Sequence, residues 1–249
     1  MGTPSTPWVT CPNPAPSAVK RLFCLPYAGG GASVYRSWGK SLGSSIEVCP
    51  IQLPGREARL FEPSFDDITP LIEATLKHLT PYLDKPYAFY GHSMGALLAF
   101  ELTRAIERKP NLLRPERIFL GAHRAAHLPR HRKPMHELSH QEFLAVLRDY
   151  GGFVDEIINN DEMMELLLPA IRADFKLCDT YRFEDRGQVS CPIHLLAGAL
   201  DNKTTVESIQ AWQQHSAATV DLEIIDGGHF FLNTHAPIVL GHISKKLKL

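Results

Sequence analysis

The residues best suited to covalent chemistry lie in the segment Gly91–Gly95, which has the sequence GHSMG. The apolar run Tyr87–Tyr90 precedes this segment, and a helix-forming run, Ala96–Phe100, follows it. A serine between a strand and a helix must occupy a sharp turn, so the residues two before and two after it must lack bulk. The first amides of the following helix would also favour a developing oxyanion. The pattern therefore predicts Ser93 as a nucleophile, and a serine at a purely structural turn is the less favoured interpretation.

His229 is the histidine best placed to activate this serine. A serine hydroxyl is a poor nucleophile until a positioned imidazole accepts its proton, and position must choose among 12 histidines. His229 lies in the loop after the last apolar run, and Gly227 and Gly228 let that loop bend back over a sheet. His92 is next to the serine in sequence, but its side chain is expected to point away from the turn. We therefore predict His229 as the general base.

Asp201 is predicted to be the acid that orients this histidine. It follows the apolar run Ile193–Gly198 in a short turn, which places its carboxylate at the carboxyl end of a strand. There it would orient the imidazole and stabilise the imidazolium. The order serine, acid, histidine is also the chain order of α/β-hydrolases. Asp226 is the rival, but it is only three residues from the histidine and is expected to belong to a strand end.

Two backbone amides are predicted to form an oxyanion hole. One belongs to Met94, directly after the nucleophile, and the other must come from the loop after an early strand. The segment Leu25–Gly31 is such a loop, and the amide of Ala28 is the best candidate for the second donor, followed by Tyr27. A glycine-rich loop can instead hold phosphate, but this one lacks the Lys-Ser/Thr ending of a P-loop. Arg56 could support this loop or be a surface salt-bridge partner.

Strand and helix patterns alternate along the chain and would position these residues. Short apolar runs predict strands at Val19–Leu25, Ile46–Leu53, Tyr87–Gly91, Arg117–Gly121, Ile193–Gly198 and Val220–Ile225. Amphipathic runs predict helices at Val34–Leu42, Ile68–Leu83, Ala96–Arg108, Thr205–His215 and Ile238–Leu247. Strands that alternate with helices indicate an α/β protein with a mostly parallel central sheet flanked by helices.

One segment interrupts this alternation. Residues 129–186 contain no strand pattern, only helical patterns at Ser139–Tyr150, Glu156–Leu168 and Pro169–Tyr181. Such a helical insertion exceeds what a connection requires, so we interpret it as a lid over the strand ends where such folds bind ligands. A structural subdomain without a gating role is the alternative. We expect a single domain at 18–249 and a loosely ordered tail at 1–17, with a short edge strand near Trp8 and Val9.

Composition narrows the function classes. The chain has 249 residues with 26 Lys and Arg against 27 Asp and Glu, so no global charge favours nucleic acid or a membrane. No run approaches the length of a transmembrane helix, and the N-terminal residues lack the pattern of a signal peptide. Five widely spaced cysteines give no disulfide framework. We therefore expect a cytoplasmic protein, and we expect no cofactor. The spacing of His123, His127 and His131 could suggest a metal site on a helix, but Pro129 interrupts it, so we expect no metal.

Five motifs together resemble the stand-alone type II thioesterases of polyketide and nonribosomal peptide synthesis, whose relatives are the medium-chain fatty acid synthase thioesterases. They occur in order along the chain, at Leu25–Gly30, Leu53–Glu57, Gly91–Gly95, Ile171–Phe175 and Gly227–Phe231. The resemblance implies an α/β-hydrolase fold and a monomer that hydrolyses acyl thioesters with Ser93, Asp201 and His229. It also implies a partner, the phosphopantetheine arm of an acyl or peptidyl carrier protein, from which such enzymes remove stalled or aberrant acyl units.

Several alternatives stay open at this level. A medium-chain fatty acid synthase thioesterase, a carboxylesterase or a lipase would use the same residues, and a cyclising transferase is less favoured. A catalytically inactive binding module is disfavoured, because such proteins commonly lose a triad member, whereas Ser93, Asp201 and His229 are all present here. The basic residues between 114 and 133, Arg130 and Arg132 among them, could dock an acidic carrier protein or form a solvated loop. The family often has a small residue and proline where Phe153-Val154 stand here, which leaves the acyl preference open.

Overall fold

A parallel β-sheet forms the centre of the fold. The computed structural model describes residues 6–130, 133–152 and 155–247. Within these residues the sheet has six strands: β1 (Lys20–Leu25), β2 (Ile46–Pro50), β3 (Tyr87–His92), β4 (Arg117–Gly121), β5 (Ile193–Gly198) and β6 (Val220–Ile225). Their order is β2-β1-β3-β4-β5-β6, and every neighbouring pair is parallel. All six predicted strands are confirmed, and only the second ends earlier than expected, at Pro50.

Helices cover both faces of this sheet. In the described ranges they are α1 (Trp38–Leu42), α2 (Ile68–Leu79), α3 (Met94–Glu107), α4 (His140–Tyr150), α5 (Asp155–Ile158), α6 (Asp161–Thr180), α7 (Val206–Gln210), α8 (Phe231–Thr234) and α9 (Ala236–Leu247). Helices α2, α3 and α7 pack on one face, against Phe23 and Phe89, and α1 and α9 pack on the other, against Tyr90. Burial on both faces explains why β3, β4 and β5 read as nearly continuous apolar runs. The edge strand β6 is mostly half-buried and carries Asp221 and Glu223. None of these helices has the length and apolar character needed to span a membrane.

The segment between β4 and β5 carries α4, α5 and α6, as the helical patterns predict. A capping box starts α4: the Ser139 hydroxyl accepts the Glu142 N–H (3.3 Å), and the Glu142 carboxylate accepts the Ser139 N–H (2.9 Å). The predicted helix boundary at Pro169 is wrong, because α6 continues through it. A proline removes one helical hydrogen bond, but buried Leu168 and Ala170 on either side of it anchor the helix in the core.

The N-terminal segment packs along β2, at the edge of the sheet. Residues 1–5 of the predicted tail lie outside the described residues, whereas Trp8 and Val9 are buried. Val9 forms an antiparallel bridge with Ile51, and the Gln52 N–H donates to the Trp8 carbonyl (2.9 Å). The predicted pairing near Trp8 and Val9 is therefore present as isolated bridges rather than as a strand, and it covers the outer side of the sheet edge.

Candidate active site

Ser93 lies at the tip of a sharp turn between β3 and α3. Its φ of +53° and ψ of −119° form a conformation that L-residues adopt only when the surrounding structure enforces it. The Ser93 N–H donates to the Gly121 carbonyl of β4 (2.8 Å), which fixes the turn against the sheet. A Cβ at Gly91 would come within 2.0 Å of the Gly95 carbonyl oxygen, and one at Gly95 within 2.1 Å of the Leu25 carbonyl oxygen. The close crossing that the motif predicts is therefore present.

The structure brings the three predicted side chains into one hydrogen-bonded row. His229 Nε2 lies 3.1 Å from Ser93 Oγ, and His229 Nδ1 lies 2.8 Å from Asp201 Oδ2. The Asp201 side chain is fully buried, and its other oxygen accepts the backbone N–H groups of Lys203 (2.7 Å) and Thr204 (3.1 Å). These bonds fix the carboxylate, which in turn can fix the tautomer and orientation of the imidazole. The row can move a proton from the serine hydroxyl to His229.

The loops after β5 and β6 are joined, and this joint sets the distance between acid and base. The Leu200 N–H donates to the Gly227 carbonyl (3.0 Å). Gly198 allows this approach, because a Cβ there would lie 2.5 Å from the Gly227 carbonyl oxygen. Asp226, the rival acid, lies in the loop after β6, and it is exposed. The buried carboxylate that contacts His229 is therefore that of Asp201.

His92 supports the loop that carries His229. The sequence analysis did not predict this role. Its side chain is fully buried, and its Nε2–H donates to the backbone carbonyl of His229 (2.7 Å). Burial, together with the nearby His229, lowers the pKa of His92 to about 3, so the imidazole is neutral at physiological pH. The expectation that His92 points away from the serine turn fits these contacts. Adjacency to Ser93 gave no signal of this role, because the bond joins two distant parts of the chain.

The buried histidines should make the fold less stable in mild acid. Burial lowers the pKa of His92 to about 3 and that of His194, on β5, to about 4, whereas an unfolded histidine titrates near 6.5. As the pH falls below about 6.5, the unfolded chain takes up protons that the folded chain cannot, so stability is lost. We expect the unfolding free energy to drop by about 3 kcal/mol between pH 7.5 and 5.5 from these two groups.

Urea denaturation at pH 7.5, 6.5 and 5.5 measures this loss. A His194→Leu variant should lose clearly less stability over the same interval, and a variant of the exposed His140, His140→Gln, should match the unmodified chain. Equal unfolding free energies at pH 7.5 and 5.5 would contradict the assignment of neutral, buried imidazoles.

The predicted oxyanion loop is tied to helix α6 through a buried ion pair. The two oxygens of Asp174 accept the Arg56 guanidinium at 2.6 and 2.9 Å, and both side chains are at most 4% exposed. Asp174 also accepts the Gly29 N–H (2.8 Å), and Arg56 donates to the Gly30 carbonyl (3.3 Å). Arg56 therefore supports the loop and is not a surface partner. The loop residue next to Gly29, Ala28, lines the same cavity as Met94 and Ser93.

A cavity of about 1020 Å³ opens over the serine. Ser93, His229, Met94 and Ala28 line it, together with apolar side chains of the helical insertion: Met135, Leu138, Val146, Leu147 and Phe175. Basic side chains also line it: Arg124, Arg130, Lys133 and Lys203. Two of these basic side chains, Arg130 and Lys203, are paired with Asp179 and Asp149. Helices α4 and α6 hold the apolar wall in place, because their facing sides form a core of their own. The apolar wall of the cavity can therefore accept an apolar chain.

Tyr150, at the end of α4, brings the helical insertion into contact with the predicted base. Its ring lies perpendicular to the His229 ring, with 5.5 Å between the ring centroids. Lys203 pairs with Asp149 and lies 5.2 Å from the centroid of the Tyr150 ring, so the loop after β5 is also in contact with α4. No pattern in the sequence marks Tyr150, because an aromatic residue at a helix end is equally common in an ordinary core.

The histidines whose spacing could suggest a metal are held by other partners. His123 Nδ1 lies 2.6 Å from the Arg124 carbonyl, and His127 contacts His215 at 2.7 Å. His131 lies outside the described residues. Among the described residues, the side chains of one group, His194, Glu223 and His242, are close enough together to bind a metal ion. None of these three residues lines the cavity. Among the residues that the structure describes, no group of metal-ligating type therefore lies at the cavity beside Ser93.

The parallel sheet, the serine turn after β3 and the histidine and aspartate beyond β6 and β5 define the fold and site of an α/β-hydrolase. The predicted fold class is thus confirmed. Residues 20–247 match the thioesterase domain family, and the chain belongs to that family.

Relatives cover the chain almost from end to end. The gramicidin S biosynthesis protein GrsT of Aneurinibacillus migulanus is 36% identical over 242 residues, which cover 97% of this chain and 94% of that protein. The thioesterase PikA5 of Streptomyces venezuelae is 34% identical over 241 residues, or 96% of this chain and 85% of that protein. The structure of the type II thioesterase BorB from the borrelidin biosynthetic cluster superimposes with a TM-score of 0.90 at 35% identity, covering 99% of this chain and all of that one.

Proposed function

We propose that the chain hydrolyses acyl thioesters on the phosphopantetheine arm of carrier protein domains, and so removes stalled or aberrant acyl units from a polyketide or nonribosomal peptide synthase. The observation that carries this proposal is the row Ser93, His229 and Asp201, with contacts of 3.1 and 2.8 Å, at a cavity of about 1020 Å³. Membership of the thioesterase family and the likeness to type II thioesterases support the choice of substrate. We further propose that the protein acts as a monomer in the cytoplasm.

The first half of the reaction forms an acyl-enzyme. Ser93 Oγ attacks the thioester carbonyl carbon while His229 Nε2 takes its proton, and Asp201 stabilises the imidazolium. The oxyanion of the tetrahedral intermediate accepts hydrogen bonds from the amides of Met94 and Ala28. The C–S bond then breaks, and the pantetheine sulfur leaves as a thiol with the proton held by His229. A thiolate is a good leaving group, so this step needs little acid assistance.

The second half releases the acyl group. Water loses a proton to His229 as its oxygen attacks the acyl carbonyl, and the tetrahedral intermediate expels Ser93 Oγ, which recovers the proton. The products are a carboxylic acid and the free enzyme. Because His229 serves as base in both halves, its bond to the buried Asp201 is needed twice in each turnover.

The helical insertion, at about 129–186, is proposed to act as a lid. Its helices supply the apolar wall of the cavity, and Tyr150 touches the base. A lid in this place would admit the long pantetheine arm and limit the access of water and free acyl-CoA to the acyl-enzyme. The apolar wall also supports the proposal that acyl units bind under α4 and α6.

Basic residues at the cavity are proposed to receive the acidic carrier protein and the phosphate of its arm. Arg124, Arg130 and Lys133 line the cavity, and Lys133 is exposed. Arg132, which belongs to the same predicted patch, lies outside the described residues. Opposite charges steer the encounter of two proteins and act mainly on its rate, so this patch would affect carrier-bound substrates more than small ones.

Reversing the charge of Lys133 tests the docking patch. We expect Lys133→Glu to raise the KM for an acyl carrier protein by about 3- to 10-fold, because rim charges govern association. The KM for the matching acyl-pantetheine, which has no carrier protein, should stay unchanged. Steady-state kinetics on both substrates measure this, with Lys40→Glu as the control, since Lys40 is exposed and does not line the cavity. Equal effects of the two reversals would contradict the proposal.

The function itself is tested by release of free thiol from an acyl-phosphopantetheinyl carrier protein, run beside acyl-CoA and an oxygen ester of the same acyl group. We expect the carrier-bound thioester to be hydrolysed fastest, and Ser93→Ala to abolish the activity. Activity on the oxygen ester alone would favour a carboxylesterase. An absence of serine-dependent hydrolysis on all three substrates would favour an inactive binding module.

A medium-chain fatty acid synthase thioesterase is the second candidate, and it is less well supported. It would use the same serine, histidine and aspartate, so the site geometry does not separate the two. GrsT and PikA5 are 36% and 34% identical to this chain, against 29% and 31% for the medium-chain fatty acid synthase thioesterases of Rattus norvegicus and Homo sapiens, which favours the first candidate. Release of medium-chain fatty acids in preference to short or branched acyl groups from a carrier protein would favour the second.

A further inference from the structure

Two cysteines face each other where the N-terminal segment runs along β2. Cys11 Sγ lies 3.2 Å from Cys49 Sγ, and both are free thiols. The pairing around them is antiparallel: Val9 bridges Ile51, and the Thr10 N–H donates to the Pro50 carbonyl (2.9 Å). In this register Cys11 stands directly opposite Cys49.

The same register sets the backbone distance between the two cysteines. The hydrogen bonds from Gln52 to Trp8 and from Thr10 to Pro50 mark the hydrogen-bonded pairs of this antiparallel ladder. Cys11 and Cys49 lie in the alternate, non-hydrogen-bonded position, where opposed Cα atoms are about 4.5 Å apart. A disulfide tolerates Cα separations of about 4.4 to 6.8 Å. The two sulfurs can therefore join by side-chain rotation, without movement of the backbone.

The surroundings give the two thiols different chemical roles. Cys11 is only partly buried, and the hydrogen bond from Cys49 lowers its pKa. Cys49 is buried, and the bond to Cys11 together with burial raises its pKa far above the ordinary value. A thiolate is the form that attacks a disulfide. Cys11 is thus the accessible thiol that would react first, and Cys49 is the buried thiol that would react second, with the Cys11 sulfur.

The remaining cysteines cannot replace either partner. Cys24 lies on β1 and belongs to the core on the opposite face of the sheet from Cys49. Cys178 lies on α6, and Cys191 lies just before β5, at the other side of the sheet. The juxtaposition is therefore specific to residues 11 and 49.

We propose that Cys11 and Cys49 form a site of oxidative modification, at which a low-molecular-weight disulfide converts the two thiols into one intramolecular disulfide. The Cys11 thiolate attacks one sulfur of the small disulfide and expels its other half as a thiolate. Cys49 then loses its proton and attacks the Cys11 sulfur, expelling the second half. Two protein thiols are oxidised, and the small disulfide is reduced to two thiols.

The bond would fix the N-terminal segment to the structure that supports the oxyanion loop. The Arg59 guanidinium lies 4.3 Å from the centroid of the Trp8 ring and donates to the Gln52 carbonyl (2.9 Å). The Gln52 side chain in turn donates to the Arg56 carbonyl and accepts the Ala32 N–H, at 3.1 and 3.0 Å. Oxidation thus joins the start of the chain to the residues around the glycine-rich loop, and this consequence is independent of the proposed substrate.

Oxidised glutathione in excess over reduced glutathione, added to the full-length protein, tests the proposal. We expect the number of thiols titrated after denaturation to fall from five to three. Tryptic digestion without reductant should link the peptide of residues 1–20 to that of residues 41–56, which separates Cys49 from Cys24 in peptide 22–36. The melting temperature should rise by about 5 °C or more, because the new bond closes a loop of nearly forty residues.

Variants make the result specific. Cys11→Ser and Cys11→Ala should each prevent the linked peptide and the rise in melting temperature, whereas Cys178→Ala should leave both intact. Dithiothreitol should reverse the change. Glutathione that stays on Cys11 as a mixed disulfide, five thiols that persist in excess oxidant, or a link to peptide 22–36 would each overturn the proposal.

Discussion

A His229→Ala variant is expected to lose at least about 10³-fold in kcat/KM for an acyl thioester. The imidazole is the only group within hydrogen-bond distance of Ser93 Oγ among the described contacts, at 3.1 Å, and without it the hydroxyl keeps its proton. The acylation and deacylation steps lose the same base, so their effects do not offset each other. Thiol release under single-turnover and steady-state conditions measures the loss.

Two aspartate variants sharpen this prediction. Asp201→Asn should lower kcat by about 10³- to 10⁴-fold, because an amide would favour the wrong tautomer of the histidine. Asp226→Asn is the matched control: it removes a carboxylate from the loop that carries His229, but Asp226 is exposed, so activity should not change. A loss from Asp226→Asn as large as that from Asp201→Asn would mean that the acid is wrongly assigned.

An Asp174→Asn variant is expected to lower kcat by about 10²-fold and the unfolding free energy by about 3 kcal/mol. The substitution leaves the Arg56 guanidinium buried without its counter-charge, and it weakens the bond to the Gly29 N–H. The neighbouring amide of Ala28 would then no longer be held toward the oxyanion. Urea denaturation and steady-state kinetics, run well below the melting temperature, measure the two effects.

Control variants separate positioning from general instability. Asp66→Asn breaks the exposed pair with Lys176, which lies on the same helix as Asp174, and it should change the unfolding free energy by less than about 1 kcal/mol. Active-site titration of Asp174→Asn should find a full complement of reactive serine with a slower rate of acylation. A reduced fraction of reactive serine with an unchanged rate per site would show that the ion pair serves folding alone.

Local patterns in the sequence predicted the strands and the serine turn, because each of these depends on neighbours in the chain. Asp201 and His229 were predicted from their places after strands and from the chain order serine, acid, histidine, although their contacts join distant positions. Gly91 and Gly95 predict that the strand and the helix cross closely. In the structure, carbonyl oxygens lie within 2.1 Å of the positions that Cβ atoms at these glycines would take. The central strands β3, β4 and β5 read as apolar runs because both faces of the sheet are covered there. The wrong helix boundary at Pro169 arose from treating the local penalty of a proline as decisive, whereas burial of its neighbours outweighs it.

Roles that depend on distant contacts could not be predicted from local patterns, and for Arg56 a supporting role and a surface role both stayed open. His92 bonds to the carbonyl of a residue 137 positions away, and Arg56 pairs with Asp174, which lies 118 positions away. Tyr150 reaches the histidine only because α4 folds over the sheet. Each has an ordinary side chain in an ordinary local pattern, so only the folded arrangement gives it a part in the site.

Helix α6 both supports the glycine-rich loop and lines the cavity, and these two roles matter for engineering the acyl preference. Asp174 on this helix holds the loop of the predicted oxyanion hole, and the next residue, Phe175, lines the cavity. Changes to the cavity side of α6 therefore risk disturbing the geometry of the reaction. Helix α4 lines the cavity through Val146 and Leu147 and makes no such bond among the described contacts. Libraries that aim to change the acyl group accepted should vary Val146 and Leu147 on α4, keep Tyr150, which contacts His229, and leave α6 as it is.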